Sequence, residues 1–275
     1  IKIHFAHRTF SWSNEAKGNA AVHVVIIGFA NYDTSNKTIY EYEEIKGIPH
    51  EIKVKNINPY LVEGKDIIIL KRSNPICNTS TMTYGSMPND GGHLLLNEEE
   101  KNEMILIEPE SKKFIRKFVM GEELINSIPR YCLWLEYINP DELKKLKEVS
   151  KRIKQVYQVR SSSSRDATRK LAQYASLFGE MRQPTEDFIA LPRVSSENRK
   201  YIPITILPKE IIAGDKVYTI SGGSIFNFGI LISTMHMSWM RVTSGRLKSD
   251  YSYSTLLTYN NFPWPENINE KQVKT

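Results

Sequence analysis

The sequence predicts an α+β fold. Strand-like runs and helical stretches both occur, but they lack the regular βαβ alternation of a doubly wound domain. Hydrophobic residues make up 40% and charged residues 25% of 275, the balance of an ordinary globular chain and not of a disordered one. No internal repeat is visible, and the length suits one large domain or two ordinary ones.

The elements follow in order. Ile1–Phe5 reads as a strand entered at once and without an initial Met, so the chain is expected to be cut from something larger. Ala20–Phe29 is a near-continuous β-branched run, the signature of a strand buried on both faces. Ile39–Ile45 and the short run Asp66–Leu70 are further strands. Residues 73–93 are rich in Asn, Ser, Thr, Gly and Pro and form a long loop, a length usually reserved for function. Glu98–Ile107 and Lys112–Met120 read as short helices, and Arg130–Ile138 as a buried strand. Asn139 is placed to cap a helix with Pro140 in its first position. Leu143, Leu146, Val149, Ile153, Val156 and Tyr157 carry that helix to about Val159. A second helix spans Arg165–Leu177. Asp187–Leu191, Lys200–Leu207 and Lys216–Ile220 are strands. Phe228, Leu231, Met235, Trp239 and Val242 mark Phe226–Val242 as one buried helix, and the last ten residues form a polar tail.

Composition excludes several functions. The two cysteines, Cys77 and Cys132, are far apart, which rules out a disulfide scaffold or a Cys-based zinc site and suits a reducing cytoplasm. No apolar run is long enough to span a bilayer, and no signal peptide opens the chain, so no membrane role is expected. No GxSxG, HExxH, GxxxxGK[ST] or strand-linked GxGxxG is present. The six histidines are scattered without metal spacing, and His236 lies near an apolar helix stripe as a packed side chain. Neither a catalytic set nor a metal site is expected.

The net charge of +6 is concentrated. Lys151, Arg152, Lys154, Arg160, Arg165, Arg169 and Lys170 stand against the single acid Asp166, so this segment alone nets +6 and the remainder balances to zero. With Ser161–Ser164 it has the inventory of a phosphate-tracking surface, or of a solvated helix face. Pro192–Arg199 holds Arg193, Ser195, Ser196, Glu197, Asn198 and Arg199 between two strands. That set suits phosphates and base edges, or a polar hairpin tip. Phe10 and Trp12 alternate onto one face of an extended segment. They either pack in a core or stack on a base taken out of a duplex.

Several strings, taken together and in order, resemble one family. They are Phe10–Phe29, Asn58–Val62, Gly85–Leu96, Arg130–Leu135, Pro192–Pro203, Phe228–Leu231, Met235–Arg241, Gly245–Leu247, Tyr251–Ser254 and Tyr259–Pro265. Over nearly its whole length the chain is similar to the C-terminal part of the MmeI-like bacterial DNA adenine-N6 methyltransferases, often fused restriction-modification enzymes. The resemblance implies a mixed-sheet target recognition domain with a long helix pair. The last strands of a methyltransferase domain and a C-terminal helical segment would flank it, dividing the chain at 1–57, 58–225 and 226–275. It implies double-stranded DNA and the upstream methyltransferase domain as partners, and S-adenosylmethionine as cofactor of the intact enzyme. This chain itself holds none of that cofactor's motifs. Asn58-Pro59-Tyr60 lacks the second proline of the family's catalytic tetrapeptide, so the chain alone is expected to be inactive.

By the same resemblance, Phe10 and Trp12 would hold a flipped adenine. Arg160, Arg165, Arg169, Lys170, Arg193, Ser195, Ser196 and Arg199 would contact DNA. Pro192–Pro203 is common to members that read different sequences, so it would position the backbone or shape the fold. Base choice would fall to unmatched stretches, the candidates being Lys209–Thr219, with Asp215 and Lys216 named there, and Arg160–Arg169. A free-standing specificity subunit and a defence-complex protein that binds partners and not DNA are the rival readings.

Overall fold

The computed structural model describes residues 1–12 and 22–266. The order begins β1 (Lys2–Trp12), β2 (Val22–Ala30), β3 (Lys37–Glu41), β4 (His50–Val54), β5 (Met82–Tyr84), β6 (Leu95–Leu96) and α1 (Glu98–Ile107). It continues β7 (Ile115–Val119), α2 (Gly121–Asn126), β8 (Tyr131–Leu133), α3 (Pro140–Leu143), α4 (Lys147–Ser161) and α5 (Asp166–Lys170). It ends β9 (Phe188–Pro192), β10 (Val194–Ser195), β11 (Thr205–Leu207), β12 (Ile212–Ala213), β13 (Val217–Ser221), α6 (Ile225–Leu231), α7 (Thr234–Thr243), β14 (Gly245–Leu247) and β15 (Asp250–Ser252). The α+β class is as expected.

The strands form separate sheets: β2-β1-β3-β4, β11-β9-β13-β5, β12-β7-β8-β6 and β10-β15-β14. One core lies between the β9–β13 sheet and the C-terminal helices. There Ile189, Leu191 and Ile220 pack with Leu231, Met237, Met240, Tyr259, Phe262 and Trp264. A second core joins the β7–β8 sheet to α1 and α4 through Leu96, Met104, Phe118, Leu133, Val149 and Val156. Both cysteines are free, and burial pushes the Cys132 thiol far above its ordinary range. Among the described residues no helix is long and apolar enough to cross a membrane.

Some expectations need correction. The β-branched run of β2 is not a central strand but an edge strand, with Val25, Ile26, Ile27 and Phe29 exposed. Lys112–Met120 is not a helix. A 3-10 turn over Pro109–Phe114 leads into β7, a strand held between β8 and β12. The spacing of Phe114, Ile115 and Phe118 fits a helix locally, and only the distant pairing settles the matter. Asp66–Leu70 forms no strand, and Arg130–Ile138 is a strand only over β8.

Two predicted helices are broken. The Asn139 side chain does accept from the Asp141 N–H, but α3 stops after one turn so that Leu146 can enter the core. The freed N–H groups of Glu148 and Val149 are taken by the Glu108 carboxylate, a cap supplied from another element. Similarly, α6 and α7 divide at Ser233, whose hydroxyl accepts from the His236 N–H. The second helix of the pair is short, α5 followed by a 3-10 turn over Leu171–Tyr174. Most of the polar tail, and the Ser13–Ala21 part of the first family string, lie outside the described residues.

Candidate nucleic-acid interface

The basic segment begins on α4, whose buried stripe is Val149, Val156 and Arg160. The structure overturns the expectation that Arg160 binds phosphate. Its side chain is 0% exposed. Nε donates to the Asn89 carbonyl at 2.9 Å. Nη1 donates to Leu171 and Tyr174 at 3.1 and 2.9 Å, and Nη2 to Pro88 and Leu177 at 2.9 and 2.7 Å. All five guanidinium N–H groups are spent on backbone, so none is left for DNA. Burial lowers its pKa, and the nearby Asp90 charge opposes that shift.

Arg152 is half-buried, paired with Glu100 at 2.9 Å and bonded to the His93 and Leu95 carbonyls. Lys151 lies 3.8 Å from Glu148, and Arg169 pairs with Asp166 and donates to the Ser163 carbonyl. Arg165, Arg169 and Lys170 are exposed, as is Lys154. Apart from the buried Arg160, the cations of this segment without a carboxylate partner among the described residues are Lys154, Arg165 and Lys170. Lys154 lies on α4, Arg165 is the N-cap of α5 and Lys170 is its last residue.

A second cluster forms where β9 ends. The antiparallel register sets Val217 against Pro192 and brings Arg193 beside the turn before β13. The Arg193 N–H donates to the Lys216 carbonyl at 3.0 Å, and its Nη1 to the Asp215 carbonyl at 3.3 Å. The guanidinium lies over the Tyr84 ring, 4.7 Å from its centroid. Lys216 Nζ is 3.2 Å from the Asp215 carboxylate. The turn is fixed by close backbone packing. A Cβ on Gly85 would stand 2.4 Å from the Gly214 carbonyl, and one on Gly214 would stand 2.6 Å from the Phe118 ring. Arg193 and Lys216 line an open cleft of about 570 Å³ together with Glu122, Asn126 and Arg130. A larger cleft of about 790 Å³ sits at the start of α4 among Glu108, Glu110, Asp141 and Glu142, an acidic rim that would repel phosphate.

The remaining predicted DNA-binding residues divide. Ser195 is buried, with its backbone in the ladder against Tyr251, so it is a structural residue and not a phosphate ligand. Ser196 closes the tip, its hydroxyl accepting from the Asn198 N–H at 3.3 Å. Arg199 is exposed there. Sequence reasoning missed Tyr84, the shelf for Arg193, and Gln183, whose amide bonds to Lys209, Ile211 and Ala213 hold the strand that feeds the turn. An aromatic directly before Gly85 was the available signal for Tyr84. Nothing local marks Gln183.

Phe10 and Trp12 do share one face, with ring centroids 6.4 Å apart. Trp12 is 51% exposed, and neither residue joins the core beneath the first sheet. His236 is packed as expected, its Nε2 3.0 Å from the Tyr253 hydroxyl. Asn58-Pro59-Tyr60 forms a local turn. The Asn58 amide oxygen accepts from the Tyr60 N–H at 2.9 Å, and the Tyr60 hydroxyl accepts from the Ile69 N–H at 2.7 Å. Both side-chain oxygens are thus used to build a turn. Among the described residues no group of three or more His, Cys, Asp or Glu could hold a metal.

The chain is 40% identical over 266 residues to DNA methyltransferase A of Bacillus subtilis (strain 168), covering 97% of this chain and 30% of that protein. It superposes with a TM-score of 0.93 on the solved structure of the Type IIL restriction-modification enzyme MmeI in complex with DNA. That match is at 49% identity and covers 99% of this chain and 36% of the other. The class is therefore that of restriction-modification DNA methyltransferases, of which the chain spans about a third of the length of each relative. The family model for the MmeI target recognition domain matches residues 63–266, and that for the MmeI DNA-methyltransferase domain matches residues 1–41. The chain belongs to the MmeI family.

Proposed function

We propose that this chain is the sequence-reading part of a DNA adenine-N6 methyltransferase in a restriction-modification system, acting in the cytoplasm. The carrying observation is that Arg193 and Lys216 line one open cleft, with the Asp215 carboxylate paired to Lys216 beside it, inside the region matched by the target recognition model. Lys154, Arg165, Arg169, Lys170 and Arg199 supply sequence-independent affinity through phosphates. Asp215 and Lys216 offer an acceptor and a donor side by side, which is what base edges in the major groove discriminate. Arg193, stacked on Tyr84 and bonded to the turn, holds that pair in place. The division into residues 1–57, 58–225 and 226–275 follows from the same reading.

Methyl transfer from S-adenosylmethionine belongs to the methyltransferase domain, of which the chain carries the part matched at residues 1–41. The exposed apolar side chains of Val25, Ile27 and Phe29 support a seat for the rest of that domain. This chain by itself transfers no methyl group. Duplex binding measured by fluorescence anisotropy at rising salt tests the reading. Affinity falling steeply with salt is expected, and no measurable binding at low salt refutes it.

A further inference from the structure

The first sheet carries an aromatic face that the base-reading cleft does not use. Strict alternation along β1 would put His7 on the face opposite Phe10 and Trp12. It does not, because the register against β2 slips: His7 pairs with Ile26 and Phe10 with Val24, three steps on one strand against two on the other. This β-bulge reverses the parity, so the His7 and Phe10 rings lie 6.0 Å apart on one face.

The neighbouring strand and the residues just after it supply a second row. Tyr40 stacks on His7 at 4.1 Å with an interplanar angle of 5°, and Tyr42 stacks on Phe10 at 5.1 Å and 16°. The two pairs are tied together by a 2.9 Å hydrogen bond between His7 Nδ1 and the Tyr42 hydroxyl. The packed face of this sheet is the other one, where Ala6 and Ile39 are buried with Val54 and Ile57. Five rings, those of His7, Phe10, Trp12, Tyr40 and Tyr42, therefore stand on the side away from the core, each at least partly open to solvent. An aromatic row of this kind suits flat heteroaromatic rings, since every base has a π-face.

We propose that Tyr42, held by its hydrogen bond to His7, backs the Phe10 ring and so sets the stacking face on which an unpaired nucleobase lies. The assignment rests on the DNA-reading function above and deepens it. Tyr42 is a positioning residue: it acts through Phe10, one of whose ring faces it covers, leaving the other face and Trp12 to the base.

The test compares two duplexes of one sequence, fully paired or carrying a single unpaired 2-aminopurine, bound to the full chain. The unpaired duplex should bind about tenfold more tightly with quenched fluorescence, in line with the stacking of one base. Tyr42→Phe keeps the ring but loses the hydrogen bond, and should cut that preference about fivefold. Phe10→Ala should abolish it, and urea unfolding of both variants serves as the control for folding. Adding His7→Ala to Tyr42→Phe should cost nothing further in preference. Equal affinity for the two duplexes would overturn the proposal and favour a protein surface as the cover of this face. So would a Tyr42→Phe variant with full preference. Failure to bind either duplex would refute the DNA reading itself, and with it this assignment.

Discussion

Arg160 and Asn89 are 71 positions apart in sequence, and the Arg160 Nε–H meets the Asn89 carbonyl at 2.9 Å. With its four other bonds, the side chain ties the turn before Gly91 and Gly92 to the carbonyls that follow α5. The exposed cations Arg165, Arg169 and Lys170 lie on the segment it anchors. A residue that looks electrostatic in sequence is the internal frame of the electrostatic surface.

Replacing Arg160 is therefore a stability experiment. Arg160→Ala strands five buried or half-buried carbonyls and should cost on the order of 3 kcal/mol or more. Arg160→Lys, with three donors for five acceptors, should fall between the parent and the alanine variant. Urea unfolding measures both, and an Arg160→Ala variant as stable as the parent would rule out the network.

The exposed cations behave differently. Lys154→Ala, Arg165→Ala and Lys170→Ala should leave unfolding unchanged. Each should weaken duplex binding and lower the slope of log affinity against log salt by about 0.9 for each phosphate no longer neutralised. An unchanged slope in the triple variant would move the backbone-binding surface elsewhere.

Several features were legible in the sequence because their causes are local. Asn97 and Glu100 make a reciprocal cap, and α1 runs over the predicted Glu98–Ile107. The apolar runs of β9 and β13 pair with each other in the centre of a sheet and read correctly as strands. The run in β2 has the same composition but lies at an edge, and composition does not say what covers a strand. β7 was missed because its pairing partners lie on β8 and β12. At the site, Arg165, Arg169 and Lys170 were legible as exposed charge. Arg160 and Ser195 were not, since their burial depends on carbonyls and strands far along the chain. Asp215 and Lys216 were marked only by falling outside the strings shared with the family.

Acid should destabilise the fold through His236. Burial beside Tyr253 and Phe262 holds its pKa at about 4, against an ordinary value of 6.5. The folded state thus binds fewer protons than the unfolded one between those values, and stability falls as pH falls. The contribution is complete above 6.5 and lost by about pH 4, a change of about 3 kcal/mol for a shift of this size. His236→Gln should flatten the stability profile between pH 6.5 and 4. An equally steep profile would assign the acid sensitivity to other groups.

The turn that presents Asp215 and Lys216 should be intolerant of side chains beneath it. Gly85→Ala places a Cβ against the Gly214 carbonyl, where neither backbone can give cheaply. A loss of about 2 kcal/mol or more in stability is expected, together with a smaller preference for a selected site over random DNA. Full stability together with unaltered site preference would show that this close approach does not set the turn.

Under the proposed function Asp215 and Lys216 choose the bases. Selecting bound duplexes from a randomised pool, with the parent chain and with Asp215→Ala and Lys216→Ala, tests it most directly. One enriched sequence is expected for the parent, and the same sequence relaxed or altered at a single position for each variant. Identical enrichment in all three would contradict it.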